Sequence, residues 1–257
     1  VFLAPIFIIL FNSFKGKLYI SDAPFKLPTA ETFSGLQNYI DGLSKTGFLS
    51  AFGWSIFITF FSTIVIVLFT AMTGWYITRS KTKVSTSLYF IFVFSMIVPF
   101  QMVMFTMSKV ANMLNLDNPV GLIVLYIGFG AGLSIFMFSG FVKSIPIDIE
   151  EAALIDGCNP IKTFFLIVLP LLKPICITVA ILNVMWIWND YLLPSLVLKS
   201  DYKTIPMAVQ YLRGGYGAID MGAMMAVLVL AIIPIIIFYL TCQKYIIEGV
   251  AAGAVKG

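Results

Sequence analysis

The residues best suited to chemistry are the acids of "DIEEAALIDG": Asp148, Glu150, Glu151 and Asp156. Carboxylates gathered so closely could serve catalysis, or could mark a surface that meets a cationic partner. The rest of the sequence speaks against catalysis. The chain contains no His, which removes the commonest general base and metal ligand. Cys158, Cys176 and Cys242 have no metal-like spacing and do not form a disulfide framework. No G-x-x-x-x-G-K-[ST] phosphate loop occurs, because Gly16-Lys17 lacks the upstream glycine. No catalytic residue, no metal site and no cofactor bound by this chain are therefore expected.

These acids interrupt a chain of 257 residues that is 60% hydrophobic and 11% charged, against roughly 45–50% and ~25% in soluble domains. A spanning helix needs ~20 mostly apolar residues. Uncharged stretches of that size cover 52–78, 84–108, 118–142 and 221–243, and a fifth, 174–198, is interrupted only by Asp190. A sixth apolar run, "VFLAPIFIILFNSF", has neither the basic leader nor the cleavage site of a signal peptide, and reads as a truncated first spanning helix. The expected fold is an all-α integral membrane protein of one domain, 1–257, with six helices at about 1–13, 51–78, 85–108, 120–142, 171–196 and 221–246.

Arg79, Lys81 and Lys83 follow the second helix, and short basic loops stay in the cytoplasm. Alternation then puts 143–170 and the carboxyl terminus inside, and 15–50, 109–119 and 197–220 outside. Lys and Arg divide evenly between the two sides, so the 79–83 cluster carries this topology. The net charge of +4 says little about partners, and no nucleic-acid partner is expected.

The acids lie between the fourth and fifth helices. A helix over Pro146–Asp156 would be ~16 Å long, about half the ~30 Å hydrocarbon core, and cannot span it. Pro146 suits a first turn, the acids sit near the positive helix end, and Gly157 suits a stop. Ile145, Ile149, Ala152 and Ala153 recur at helical spacing and are expected to face the protein, with Glu151 and Ile155 together on another side. Asn159 and Pro160 begin a second short helix. "IKTFFLIVLP" leads back toward the bilayer, and Pro170 and Pro174 argue against one straight helix there. Physics alone leaves two readings: a rigid acidic knob that transmits a push, or an interfacial loop that joins two helices.

Glu151-Ala152-Ala153, then Gly157, then Ile167-Val168-Leu169-Pro170 resembles the EAA signature of ABC importer membrane subunits. Every position of E-A-A-x3-G-x9-I-x-L-P is filled. "FNSFK" (11–15), "VPFQ" (98–101), "WND" (188–190) and "QKYIIEGVAAGAVKG" (243–257) resemble the carbohydrate branch, nearest the smaller membrane subunit of maltose-type importers. Cys158 stands where Ala is commoner. The resemblance implies a six-helix type I importer permease fold whose region 145–170 is a coupling helix seated on a cytoplasmic ATPase subunit. Glu150, Glu151, Ala152, Ala153, Asp156, Gly157, Leu169 and Pro170 would form that coupling region, with Glu151 meeting a basic residue. Implied partners are a second membrane permease subunit, two cytoplasmic ATPase subunits holding ATP and Mg, an extracytoplasmic solute-binding protein and a carbohydrate substrate. The setting implied is the lipid of a bacterial or archaeal cytoplasmic membrane.

Other features keep two readings each. Gln101, beside Pro99, is either a pore-side group at a kink or one end of an interhelical hydrogen bond. In "MWIWNDYLLP", Trp186, Trp188, Asn189, Asp190 and Tyr191 either line a sugar pathway or form an interfacial belt, and Asn183 could add a polar pore contact. Gly128, Gly130 and Gly132 read as packing positions. Arg213, Gly214, Gly215, Tyr216 and Gly217 would face the binding protein, or make an ordinary surface turn. An ion-coupled secondary transporter of a small polar solute is the competing function, but such carriers usually hold intramembrane ionisable groups and internal repeats. This chain has Asp190 alone and no visible repeat.

Overall fold

The computed structural model describes residues 3–212 and 220–254, with side chains described to 245. The elements are α1 (Ala4–Asn12), α2 (Lys17–Asp22), α3 (Gln37–Thr46), α4 (Phe48–Ser80), α5 (Lys83–Ser95), α6 (Phe100–Met113), α7 (Pro119–Val142) and α8 (Asp148–Ile155). They continue with α9 (Pro160–Thr163), a π-helical turn (Phe164–Val168), α10 (Leu169–Leu171), α11 (Lys173–Asn189), α12 (Leu192–Val197), α13 (Ile205–Tyr211) and α14 (Met221–Ala254). By length and apolarity, α4, α7 and the Met221–Tyr245 part of α14 can each cross a membrane. Two bent pairs, α5 with α6 and Pro160–Leu171 with α11, would each make one more crossing if counted together. At 33 residues, α4 is ~50 Å long, well beyond the ~30 Å apolar core. At least one end therefore reaches past the hydrocarbon, and Arg79 in the last turn marks that end.

Two expected helices are broken. The helix expected at 85–108 is α5 and α6, bent by 104°. A kink at Pro99 becomes a full break because Pro99 itself is extended, with ψ of 137°, and stands as the N-cap of α6. Proline also disfavours helical backbone at the residue before it. The helix expected at 171–196 ends at Asn189 and resumes as α12. Upstream, the segment Pro160–Leu171 meets α11 at 77°, as Pro170 and Pro174 require.

By its internal contacts the chain divides into two compact units, Val1–Phe57 with Asn189–Thr241, and Ile58–Trp188 with Cys242–Gly257. In the first, "FNSFK" ties the end of α1 to the following loop. Asn12 is buried and donates to the carbonyls of Ile8 (2.9 Å) and Pro24 (2.7 Å). Asn38 donates to the carbonyls of Ser13 (2.8 Å) and Lys15 (2.7 Å). Lys15 is buried, donates to the Ala23 carbonyl at 2.8 Å and lies 5.0 Å from the Phe11 ring centre. That burial pushes its ammonium below the usual value.

The same unit clips α3 to the start of α14. Lys45 Nζ lies 2.5 Å from Asp220 Oδ2, and the Ala223 N–H donates to Asp220 Oδ1 at 3.2 Å. Burial alone would raise the Asp220 carboxyl, but the bonds from Lys45 and Ala223 outweigh it and hold the group below its usual value. The hydrogen bond to Asp220 in turn raises Lys45. The clip's contribution is therefore full above the ordinary carboxylate value, about 4, and is lost as pH falls through the depressed Asp220 value. At the other extreme it is lost as pH rises through the raised Lys45 value. Asp220→Asn should melt a few degrees below wild type at neutral pH, with the gap closing on acidification below about 4. A gap unchanged at low pH would show that the pair does not carry the effect.

In the second unit, Ala71, Phe138, Val142, Ile145, Phe164, Val168, Leu172 and Val179 form one buried cluster joining α4, α7, the π-helical turn and α11. Lipid tails are as apolar as these side chains, so close packing rather than water exclusion holds such helices together. Gly132 shows how close the packing is. A Cβ there would lie 2.8 Å from the Phe92 carbonyl oxygen and 2.7 Å from Met96 Cγ, whereas Gly128 faces open space. Of that glycine pair, Gly132 is a contact position between α7 and α5, and Gly128 is not.

Candidate functional site

The acidic insert folds as two short helices in the second unit, α8 and α9. Asp148, Glu150 and Glu151 occupy the first turn of α8, where partial positive charge favours them. The helix stops as anticipated. Gly157 adopts φ of +82°, and the N–H groups of Gly157 and Cys158 return to the carbonyls of Leu154 and Ala153, closing a Schellman turn. Asn159 then caps α9 by accepting from the Lys162 N–H at 2.8 Å, with Pro160 in the first turn.

The two adjacent glutamates face opposite ways. Glu150 is 7% exposed. Its Oε2 accepts from the Trp75 indole N–H at 2.9 Å, and its Oε1 accepts from Arg79 Nε at 2.9 Å. Arg79 Nη2 lies 2.8 Å from the same Oε1 and donates to the Ile145 carbonyl at 2.9 Å. The overshooting end of α4 thus grips α8 and the residues before it. Trp75 also packs on Phe164 of the π-helical turn, ring centres 5.5 Å apart. Glu150, grouped with the ATPase-coupling residues, is therefore committed inside this subunit.

Outward, α8 presents Glu151, Ala152, Asp156 and Gly157, all exposed, with Ile155 at 86% exposure. Ile149 and Ala152 were expected to face the protein but are exposed; only Ile145 and Ala153 of that set are buried. The Arg79–Glu150 contact sets this rotation, because it draws position 150 inward and Ala153 one turn later with it. Leu169 is half-buried and Pro170 exposed. The part Arg79 and Trp75 play was missed in the sequence. Their spacing, four apart on the last turns of α4 and so on one face, is the signal that pointed to it.

The expected pathway residues divide between the two compact units. Asn183 is 7% exposed and donates to Ser134 Oγ (3.3 Å) and the Val179 carbonyl (2.8 Å). That is an interhelical contact between α11 and α7, and Gly130 lies against the same amide. Trp188 is buried, while Trp186 is exposed and stacks edge-on against Tyr126 at 5.4 Å. Gln101 is exposed in the first turn of α6. Asn189, Asp190 and Tyr191 belong to the other compact unit, with Asn189 and Tyr191 exposed. The apolar run around Asp190 predicts an acid inside a spanning helix. It lies instead in the break after α11, accepting from the N–H groups of Leu192 (2.9 Å) and Leu193 (3.4 Å). Those first-turn donors satisfy the carboxylate where it sits. Arg213, Gly214, Gly215, Tyr216 and Gly217 fall outside the described residues.

The pattern of one protein family, the binding-protein-dependent transport system inner membrane component, matches residues 66–251. The chain belongs to this family. It is a multi-pass membrane component of a transport system, and its family's role is transport rather than catalysis. The chain is 39% identical over 257 residues to a probable starch degradation products transport system permease of Thermoanaerobacterium thermosulfurigenes, covering all of this chain and 92% of that one. It is 36% identical to a multiple sugar-binding transport system permease of Streptococcus mutans, covering 99% and 92%. To a melibiose/raffinose/stachyose import permease of Bacillus subtilis it is 31% identical, covering 98% and 91%. In fold it resembles a chain from the crystal structure of a bacterial ABC transporter involved in import of the acidic polysaccharide alginate, with a TM-score of 0.80 at 24% identity over 95% of this chain and 90% of that one. An all-α importer permease fold follows. The ion-coupled carrier reading has no place in a family defined by binding-protein dependence.

Proposed function

We propose that this permease forms half of the translocation pathway of an ATP-driven, binding-protein-dependent importer of oligosaccharides. The geometry of α8 supports the reading most directly. One side of the helix is fixed to α4 through Glu150, and the other offers Glu151 and Ile155 to a neighbour. A rigid knob of this kind can move spanning helices when something pushes on it. The sugar-transport names of the full-length relatives support the substrate class.

In this reading two cytoplasmic ATPase subunits hold ATP and Mg, and one of them receives α8. A second membrane permease subunit completes the pathway, and an extracytoplasmic solute-binding protein delivers sugar. The membrane is the cytoplasmic membrane of a bacterium or archaeon. The whole chain, 1–257, acts as one permease domain. ATP drives alternating access only by being bound more tightly in one of the two states. Exposed Trp186 and Tyr191 remain the best candidates for stacking on sugar faces, each on its own unit.

The test is purification of the tagged chain from its native membranes, followed by reconstitution. An ATPase and a second permease should accompany it, and labelled oligosaccharide should enter vesicles only with ATP and the binding protein present. Uptake by this chain alone, driven by an ion gradient, would overturn the proposal.

A further inference from the structure

The stretch from Pro160 to Leu171 carries one backbone irregularity, the π-helical turn Phe164–Val168. The Leu169 N–H reaches back five residues to the Phe164 carbonyl, where an α-helix reaches back four. Such turns are rare, well under 1% of residues, and gather at functional positions. The sequence explains where this one falls. Pro170 has no N–H to give, and in an α-helix its ring would press on the Leu166 carbonyl. The wider turn just before it relieves that contact. Phe165 and Leu166, in the middle of the turn, are both exposed, while Phe164, Val168 and Leu172 are buried. Steps of four residues drift by ~40° each in an α-helix, so the wide turn is what keeps those three in one inward row.

The turn lies between two anchors. Phe164 packs on Trp75, whose indole N–H donates to Glu150 of α8, so the near end is tied to α4 and α8 together. Val168 and Leu172 sit in the core cluster with Val179 of α11, and α11 begins directly beyond them at a 77° bend. We infer that the π-helical turn is a slack joint, closing to an α turn and reopening as α11 moves against the α4–α8 block. It holds one residue more than an α turn, so it can take up one residue's rise, ~1.5 Å, with both anchors kept. Without Leu166, the residues Phe164, Val168 and Leu172 would fall at steps of three and four, the spacing of an ordinary helix face, and the slack would be gone. The inference rests on the proposed function in one respect: an ATPase must drive α8.

The experiment is amide hydrogen exchange on the purified complex in lipid nanodiscs, with and without ATP turnover. In wild type, exchange across 165–169 should rise at least fivefold during turnover, while 177–187 in α11 stays unchanged. No rise, or an equal rise along the whole of 160–189, would overturn the inference. Deletion of Leu166 combined with Pro170→Ala should melt within a few degrees of wild type, show no rise at the turn, and lower the sugar imported per ATP at least fivefold. Pro170→Ala alone keeps the extra residue and should keep the rise, which separates slack from the loss of a proline. Normal coupling in the deletion variant, or loss of the rise in Pro170→Ala alone, would also overturn it. The wild-type measurement decides even where the deletion chain fails to fold. An ATPase missing from the purified complex counts against the proposed function instead.

Discussion

Glu150→Ala should destabilise the chain by about 3 kcal/mol and reduce uptake at least tenfold, because it leaves the Arg79 guanidinium and the Trp75 indole N–H without their acceptor. Arg79 and Glu150 side chains are 19% and 9% exposed, so water replaces the lost contacts poorly. Arg79→Ala should cost a similar amount, since it strands the carboxylate instead. The double variant should be little worse than either single one, as groups in one network are not additive. Trp75→Phe should give a smaller loss. The measurements are melting of the purified complex and the ratio of sugar imported to ATP hydrolysed. Because Glu150 faces inward, the ATPase should still co-purify with Glu150→Ala. A variant that melts like wild type but loses its ATPase would show that Glu150 is a docking residue and not a clamp.

Glu151→Lys should do the reverse. Its side chain is exposed and has no ion pair among the described residues, so melting and membrane level should match wild type. Removing one partner of a buried charge pair at an interface costs ~2–5 kcal/mol, and a reversed charge adds repulsion. On the proposed function, Glu151→Lys therefore uncouples ATP hydrolysis from uptake and leaves little or no ATP-driven import. Normal sugar uptake by this variant would remove Glu151 from the coupling role. The two expected results together separate the adjacent carboxylates: Glu150 holds the knob to its own subunit, and Glu151 meets the ATPase.

Much of the local structure around these residues was legible beforehand, since it depends on near neighbours. Asn159, Pro160 and Gly157 begin and end helices by bonding backbone groups within a few residues, and such patterns can be read from spacing. The long apolar helices were legible for a similar reason, because a span is a matter of length and composition. What failed were judgements about faces and breaks. Ile149 and Ala152 follow the same periodicity as buried residues, yet lie exposed, because a long-range ion pair chose the rotation of α8. Asp190 looked like an intramembrane acid because the surrounding run is apolar, but the helix ends before it. Asn183 carried the same polarity signal as a pore residue and proved to be a buried interhelical donor.

By itself the sequence determined that the chain is a multi-pass helical membrane protein, that its acidic insert is too short to span, and that this insert carries a complete EAA signature. Those properties follow from composition, length and short spacings, which do not depend on how distant segments meet. Only the tertiary structure decided which glutamate turns inward. Arg79 and Glu150 are 71 residues apart, and no local rule distinguishes Glu150 from Glu151. The last turns of α4 bring Arg79 and Trp75 to α8, and that contact gives the acidic insert one side held within its own unit and one side exposed.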